Sequence, residues 1–425
     1  MVAFSSYILG AANLVPYLSK LVPLPVLLAA LVVPSLAFSA AVSAFRYALV
    51  QDHTIEAVLV FPAAWTSYEF ILSLVSPHGT AGSVAYSQAD FSQLVQICSL
   101  TGIWGITFLL TFVPAAVAAA WYLRGSWKRS AYIAFAMLGV ITISLLYATL
   151  RSTGSTDRQF LSVGLVASDT TQGYFNTTER NHALTVMRAF LQQVDQLSRL
   201  GAEVVLLPEK CVRVMSQDSG SVVGILMDAA RSKKVMIIVG VSLTDSARHR
   251  NLALVFSDDG GLLATYEKTF LIPGFEASYQ RGTSITLFSV ASTRAGLLIC
   301  KDMDFPQWVR QYERAGARIL FVPAWDFGDD AWLHSRMAVL RGVELGCAVV
   351  RSASEGLLSV SDYRGNTVEI PSSNLPMGSL VTRILPGPGE TLYSVAGDWF
   401  AWLNVVGLAV ILGRNISRGL RRPVS

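Results

Sequence analysis

The chain has 425 residues, 52% of them hydrophobic and only 15% charged, against roughly 25% charged in an ordinary soluble protein, which excludes a single soluble domain. Its formal net charge of +4 is too small to imply a nucleic-acid partner unless the charges cluster. They are unevenly spread: nine lie in residues 1–150 and five in residues 396–425, so the segment between them is close to a soluble composition, about a fifth charged.

In chain order, the stretches apolar enough to cross a bilayer, which takes about 20 residues, are Leu24–Leu49, Ile55–Val75, Val95–Trp121 and Ala131–Leu150. A shorter one, Val2–Val22, is interrupted by Pro16, and another, Val395–Leu412, follows the middle segment. This predicts a five-span region over 1–151, a soluble-like domain over 152–394, and a final span with a basic tail over 395–425. Basic residues in short loops favour the cytoplasmic side. Arg124, Lys128 and Arg129 in one loop, and Arg414, Arg418, Arg421 and Arg422 in the tail, together place the middle domain outside the cytoplasm. The expectation is a multi-pass inner-membrane protein with an extracytoplasmic (periplasmic) domain.

That domain alternates strand-like runs (Phe160–Ala167, Glu203–Leu207, Val235–Val241, Leu252–Phe256, Leu262–Tyr266, Gly296–Ile299, Ile319–Val322, Ala348–Arg351) with helical patterns at Arg180–Leu200, Ser221–Ser232, Pro306–Ala315 and Leu333–Cys347, as an α/β fold does. Asp258-Asp259-Gly260-Gly261 reads as a hairpin turn. Cys98, Cys211, Cys300 and Cys347 form no CxxC, and the five histidines form no HExxH, so no metal site is indicated. With no GxGxxG either, no cofactor is expected.

Three polar residues stand just after apolar strands: Glu209 in VVLLPEK, Lys268 in LLATYEK and Cys300 in AGLLICKD. Groups at the C-terminal ends of strands converge on one rim of an α/β sheet. Pro306 suits the first turn of a helix, so the short link from Cys300 resembles a strand-to-helix nucleophile elbow. A carboxylate there can take a thiol proton, and an ammonium can stabilise charge on a carbonyl oxygen.

The ordered motifs PE, YEKxFLIPxxE and LLICKDMDFP, followed by VPAW and RGVELG, resemble the nitrilase or carbon–nitrogen hydrolase superfamily. That resemblance implies an αββα sandwich and a catalytic Glu, Lys and Cys. With the flanking spans, and with AWTSYEF, AYSQ and GIWGITFLLTF within them, the chain is similar to the membrane branch of that superfamily, the apolipoprotein N-acyltransferases. The resemblance implies Glu209 as general base, Lys268 as oxyanion stabiliser, Cys300 as nucleophile and Glu276 as a second essential glutamate. It also implies a phospholipid acyl donor, a lipoprotein amine acceptor and a monomer, and an apolar mouth from Phe270, Phe275, Trp308 and Trp325. A tethered amidase or nitrilase-like hydrolase with the same triad is the alternative.

Around these residues the chain departs from the family pattern. Lys301 and Asp302 follow the cysteine in place of an aromatic residue and Glu, Lys210 and Cys211 follow Glu209 in place of small residues, and Pro323-Ala324-Trp325 is closer to soluble nitrilases. Arg341 and Glu344, at i and i+3 on a helix, read as a structural ion pair. Glu69 lies within a span, where a charge is costly.

Overall fold

The computed structural model describes residues 1–153, 159–169, 178–245, 248–372 and 377–420; Arg421 and Arg422 of the basic tail lie outside the described residues. Fourteen strands are described: β1 (Leu161–Ala167), β2 (Val204–Leu206), β3 (Val212–Met215), β4 (Met236–Thr244), β5 (His249–Phe256), β6 (Leu262–Glu267), β7 (Tyr279–Gln280), β8 (Thr286–Val290), β9 (Thr293–Leu297), β10 (Ile319–Trp325), β11 (Ala348–Ser354), β12 (Leu357–Ser361), β13 (Thr367–Pro371) and β14 (Gly378–Ile384). They form two sheets. One has the order β14-β1-β2-β4-β5-β6, with β3 beside β4 and β7 beside β5; the other runs β13-β12-β11-β10-β9-β8.

The centre of each sheet is parallel, β1-β2-β4 in one and β9-β10-β11 in the other. These strands read as near-continuous apolar runs because they are covered on both faces. Leu165, Val255, Leu297, Phe321 and Val350 meet between the sheets. On the outer face of the first sheet, the helices Arg180–Arg199 and Ser219–Lys233 contribute Phe190, Val194 and Leu226. In the first of these the buried positions Ala183, Val186, Met187, Phe190, Val194 and Leu197 recur every three or four residues, as one helical face requires. Pro306–Arg314 and Ala331–Leu345 cover the second sheet through Val309, Tyr312 and Ala338. The result is the αββα sandwich anticipated from sequence. Gly260, at φ +88°, turns the β5–β6 hairpin. The unanticipated strands β8 and β12–β14 include outer, partly exposed ones, whose mixed composition carries a weaker signal.

By length and composition, five helical segments among the described residues can cross a membrane: Val2–Leu21, Leu24–Val50, Thr54–Val75, Trp104–Tyr122 and Trp127–Arg151. A shorter apolar helix, Trp399–Asn415, lies beyond the sandwich. Two stretches differ from the sequence reading. Val95–Trp121 is not one helix: short turns at Ser92–Val95 and Cys98–Thr101 precede Gly102, and the long helix begins at Trp104. Gly102 has φ +67°, and a Cβ there would lie 2.6 Å from the Tyr393 ring, so this break depends on glycine. Similarly, Val395 belongs to a short helix (Leu392–Ala396), and the final apolar helix starts at Trp399.

Glu69 is satisfied inside the membrane part, accepting from Trp65 Nε1 (2.9 Å), Ser83 Oγ (2.7 Å), Val84 N (3.1 Å) and Thr107 Oγ1 (2.9 Å). It thereby pins the loop after Thr54–Val75 to the start of Trp104–Tyr122. The same loop reaches the sandwich, where Thr80 donates its N–H (3.0 Å) and hydroxyl (2.9 Å) to Asp304 O. Arg341 and Glu344 are an ion pair at 2.6 Å, as the spacing suggested. Both are buried, and they do more than brace one helix: Glu344 accepts the Ile103 N–H at 2.9 Å, and Arg341 donates to Tyr86 Oη at 2.9 Å. A sandwich helix is thus fastened to the N-terminal end of a membrane helix.

Removing one member of such a pair leaves a buried, unpaired charge, which costs about 3–5 kcal/mol. Arg341→Met should therefore lower the thermal unfolding midpoint of the detergent-purified protein sharply, and an unchanged midpoint would show that this pair does not hold the two parts together.

Candidate active site

Glu209 follows β2, Lys268 follows β6 and Cys300 follows β9. The Glu209 N–H donates to Ala324 O at the end of β10 (3.2 Å), so the strand ends of both sheets meet at one rim. The turn Pro208-Glu209-Lys210 lies directly over β4. A Cβ on Gly240 would sit 2.4 Å from Pro208 O and 2.6 Å from Glu209 Cα, so glycine there lets the glutamate turn approach.

Lys268 is fully buried between two carboxylates, with Nζ 2.9 Å from Glu209 Oε1 and 3.0 Å from Glu276 Oε2. Burial opposes the ammonium, but the two carboxylates outweigh it and hold its pKa well above the ordinary lysine value. Glu276 is buried as well. Burial pushes its carboxyl up, but Lys268 and Lys210 outweigh that and hold it low, at about 2. The carboxylates are further linked by Asn251 Nδ2, which donates to Glu209 Oε1 (2.6 Å) and Glu276 Oε1 (3.0 Å). Ile272 N donates to Glu276 Oε2 at 2.9 Å. Among the described residues, the hydrogen bonds and ion pairs of the Glu209 side chain fall on Oε1.

Cys300 opens a 3₁₀ turn, Cys300–Asp304, that leads into Pro306–Arg314. Its φ of +44° is left-handed, a conformation that costs a side-chain-bearing residue about 1–3 kcal/mol and tends to occur at reactive sites. Its Sγ lies 3.5 Å from Trp325 O. Burial, then the Glu209 charge, push the thiol pKa up, while Lys268 pulls it down. The resting group is a neutral thiol, which needs a base to become a nucleophile.

Asp302 lies at the centre of the elbow. It is fully buried and accepts from Ile299 N (2.9 Å), Phe270 N (2.9 Å), Thr269 N (3.2 Å) and Tyr266 Oη (2.8 Å). It therefore ties the cysteine turn to the segment that carries Lys268. Burial raises its pKa to about 6 against these hydrogen bonds. Lys301 turns the other way, to Asp304 Oδ2 (3.2 Å) and His78 Nδ1 (3.2 Å) on the membrane loop. The two residues that break the family pattern after the cysteine thus brace the elbow from opposite sides.

The aromatic residues divide. Phe270 stacks on Phe305 with ring centroids 3.6 Å apart, and with Trp308 and Phe70 they line a cavity of about 320 Å³ between the membrane helices and the sandwich. Phe275 is largely exposed and faces Phe327 at 5.4 Å, and Trp325 ends β10 beside the cysteine. Asp326, Asp330 and His334 lie within 4.8 Å of one another, a spacing open to a metal ion. However, Asp326 is engaged by both guanidinium ends of Arg351, and Asp330 accepts from Tyr17 Oη (2.8 Å) and Phe327 N (3.0 Å). These carboxylates are held by protein cations and donors.

Sequence reasoning did not assign Lys210 or Asn251 to the site. The signal for Lys210 was its departure from the small residues usual after the glutamate; that for Asn251 was a polar residue opening the apolar run NLALVF in β5.

The carbon–nitrogen hydrolase family model matches residues 169–370, and the model of the apolipoprotein N-acyltransferase N-terminal domain matches residues 1–116. Among curated relatives, apolipoprotein N-acyltransferase of Geobacter metallireducens is 24% identical, the match covering 90% of this chain and 78% of the relative. That of Bradyrhizobium diazoefficiens is 26% identical over 86% of this chain and 74% of the relative. An amidase of known structure from Nesterenkonia sp. superposes with a TM-score of 0.46 at 21% identity, covering 53% of this chain and 90% of the amidase. Both family models and these relatives support an apolipoprotein N-acyltransferase of the carbon–nitrogen hydrolase superfamily, and the chain is a membrane protein.

Substituting Asp302 by Asn replaces an acceptor by a group that presents its own N–H to converging donors. Leaving a buried donor unsatisfied costs about 1–3 kcal/mol. Asp302→Asn should be less stable by that order in denaturant or thermal unfolding, whereas an unchanged stability would show that these four contacts do not brace the elbow.

Proposed function

We propose that the chain is a membrane-bound N-acyltransferase that moves a fatty acyl group from a phospholipid, through a thioester on Cys300, to the N-terminal amine of a lipoprotein. The observation that carries this reading is the buried Glu209–Lys268–Glu276 cluster beside a left-handed cysteine whose elbow is braced by a membrane loop. Neutral thiol, base and fixed cation are what acyl transfer to sulfur needs. The relatives' name supplies the acceptor class.

In the first half-reaction Glu209 takes the thiol proton as Sγ attacks the donor's ester carbonyl. Lys268 stabilises the oxyanion, since a fixed charge in a site shielded from water acts without reorganising. Collapse breaks the ester C–O bond, and the departing alkoxide receives the proton from Glu209, which leaves the thioester and a lysophospholipid. In the second half-reaction the lipoprotein's α-amine attacks the thioester. Glu209 accepts the ammonium proton, and the C–S bond breaks as the amide forms and the thiol is restored. Glu276 holds Lys268 and does not itself react.

The division into membrane region (1–151), catalytic domain (152–394) and terminal span with tail (395–425) follows the apolar segments. The positive-inside distribution supports a catalytic domain on the periplasmic side, and the reaction requires only one copy of the chain.

The test is mass spectrometry of purified protein incubated with phospholipid. A fatty-acyl adduct should form on Cys300, be absent in Cys300→Ala, and be discharged by a diacylated lipopeptide. No adduct, together with hydrolysis of a small amide, would replace transfer by hydrolysis. Orientation is tested separately: a cysteine introduced at exposed Gln217 should react with a membrane-impermeant thiol reagent from the periplasmic side, and labelling from the cytoplasmic side alone would reverse the topology.

A further inference from the structure

Two lysines, not one, are buried among the site's carboxylates. Lys210 directly follows Glu209, has a left-handed φ of +50° and is 7% exposed. Its ammonium is ion-paired with Glu276 Oε1, lies 3.9 Å from Glu209 Oε1, and sits 4.6 Å from the centroid of the Tyr279 ring and 6.0 Å from that of Trp325. Such a position over aromatic faces favours a cation. Among the described residues, the ion pairs of Glu276 are with Lys210 and Lys268.

We infer that Lys210 is a positioning residue for the acyl-transfer base: it neutralises Glu276, so that Lys268 is shared between the glutamates and the cluster holds two cations against two carboxylates. The inference rests on the proposed role of Glu209 and Cys300. Without Lys210, one ammonium would face two carboxylates that share the amide of Asn251. Buried like charges at such a separation are relieved by taking up a proton, and a protonated cluster no longer serves as a base.

The other groups around the cluster do not supply the missing charge. From the segment after β6 come Lys268, Glu276 and Tyr279; from the elbow comes the Cys300 thiol. Asp326, just after β10, and Arg351 of β11 pair with each other, and His334 from the neighbouring helix lies 3.2 Å from Asp326 and 3.6 Å from Asp330. The second lysine is therefore particular to the cluster.

The test is the pH dependence of single-turnover thioester formation with phospholipid, measured on the full-length protein in detergent. Lys210→Met should move the acid limb of the profile upward by about one pH unit, so that at a pH on that limb the rate falls roughly tenfold and recovers at higher pH. Lys210→Gln, which keeps a hydrogen-bond donor toward Glu276 but no charge, should shift it the same way, and Lys210→Arg should leave the limb where it is. An unmoved acid limb in folded Lys210→Met or Lys210→Gln, or a loss equal at every pH, would overturn the inference. So would failure of both neutral variants to fold, which would place the lysine in folding instead of in the base's protonation. A native protein that forms no thioester, compared with Cys300→Ala, counts against the proposed function itself; a native protein that does, with an unmoved variant profile, counts against Lys210 alone.

Discussion

A lysine with no solvent exposure, held between two glutamates, is the interaction on which the site depends. An isolated ammonium in that position would cost several kcal/mol to desolvate. Lys268 is charged because Glu209 and Glu276 each come within about 3 Å of it, and those carboxylates are there because three chain segments end at one rim. Glu209 arrives on a turn that Gly240 admits, Lys268 at the end of β6, and Glu276 on the following loop, where Ile272 N fixes its second oxygen. The sandwich is therefore the support for a balanced group of charges.

The membrane part is fastened to this support at several points, one of which is the reactive turn. Thr80 bonds the backbone of Asp304, Lys301 reaches His78, and Arg341 with Glu344 grips Tyr86 and the start of the helix at Trp104. Each contact pairs a buried polar group that would otherwise be left unsatisfied. The cavity lined by Phe70, Phe270, Phe305 and Trp308 lies along the same seam.

Much of this was legible in the sequence, for identifiable reasons. The parallel strands β1, β2, β4, β10 and β11 read as apolar runs because both of their faces are covered, and Glu209, Lys268 and Cys300 stood out as polar residues ending such runs. The spans followed from length and hydropathy. The break at Gly102 did not, because apolarity continues through it and only the contact with Tyr393 reveals the need for glycine. Asp302 stood out only as a departure from the family pattern after the cysteine, yet it is buried under four donors; local sequence does not show that Tyr266, Thr269 and Phe270 converge on it from β6 and the segment after it. Lys210 was visible as an oddity, but its partner lies 66 residues away, so only the fold turns it into part of the site.

The central claim is that Glu209, charged and held by Lys268, is the base that activates Cys300. The most direct measurement is the single-turnover rate of acyl-thioester formation in Glu209→Gln, a nearly isosteric change, in protein whose thermal unfolding matches the native chain. General-base catalysis contributes typically 10²–10⁴-fold, so the account predicts a rate reduced by about that factor with Cys300 still present and unmodified. Thioester formation at the native rate in Glu209→Gln would contradict it.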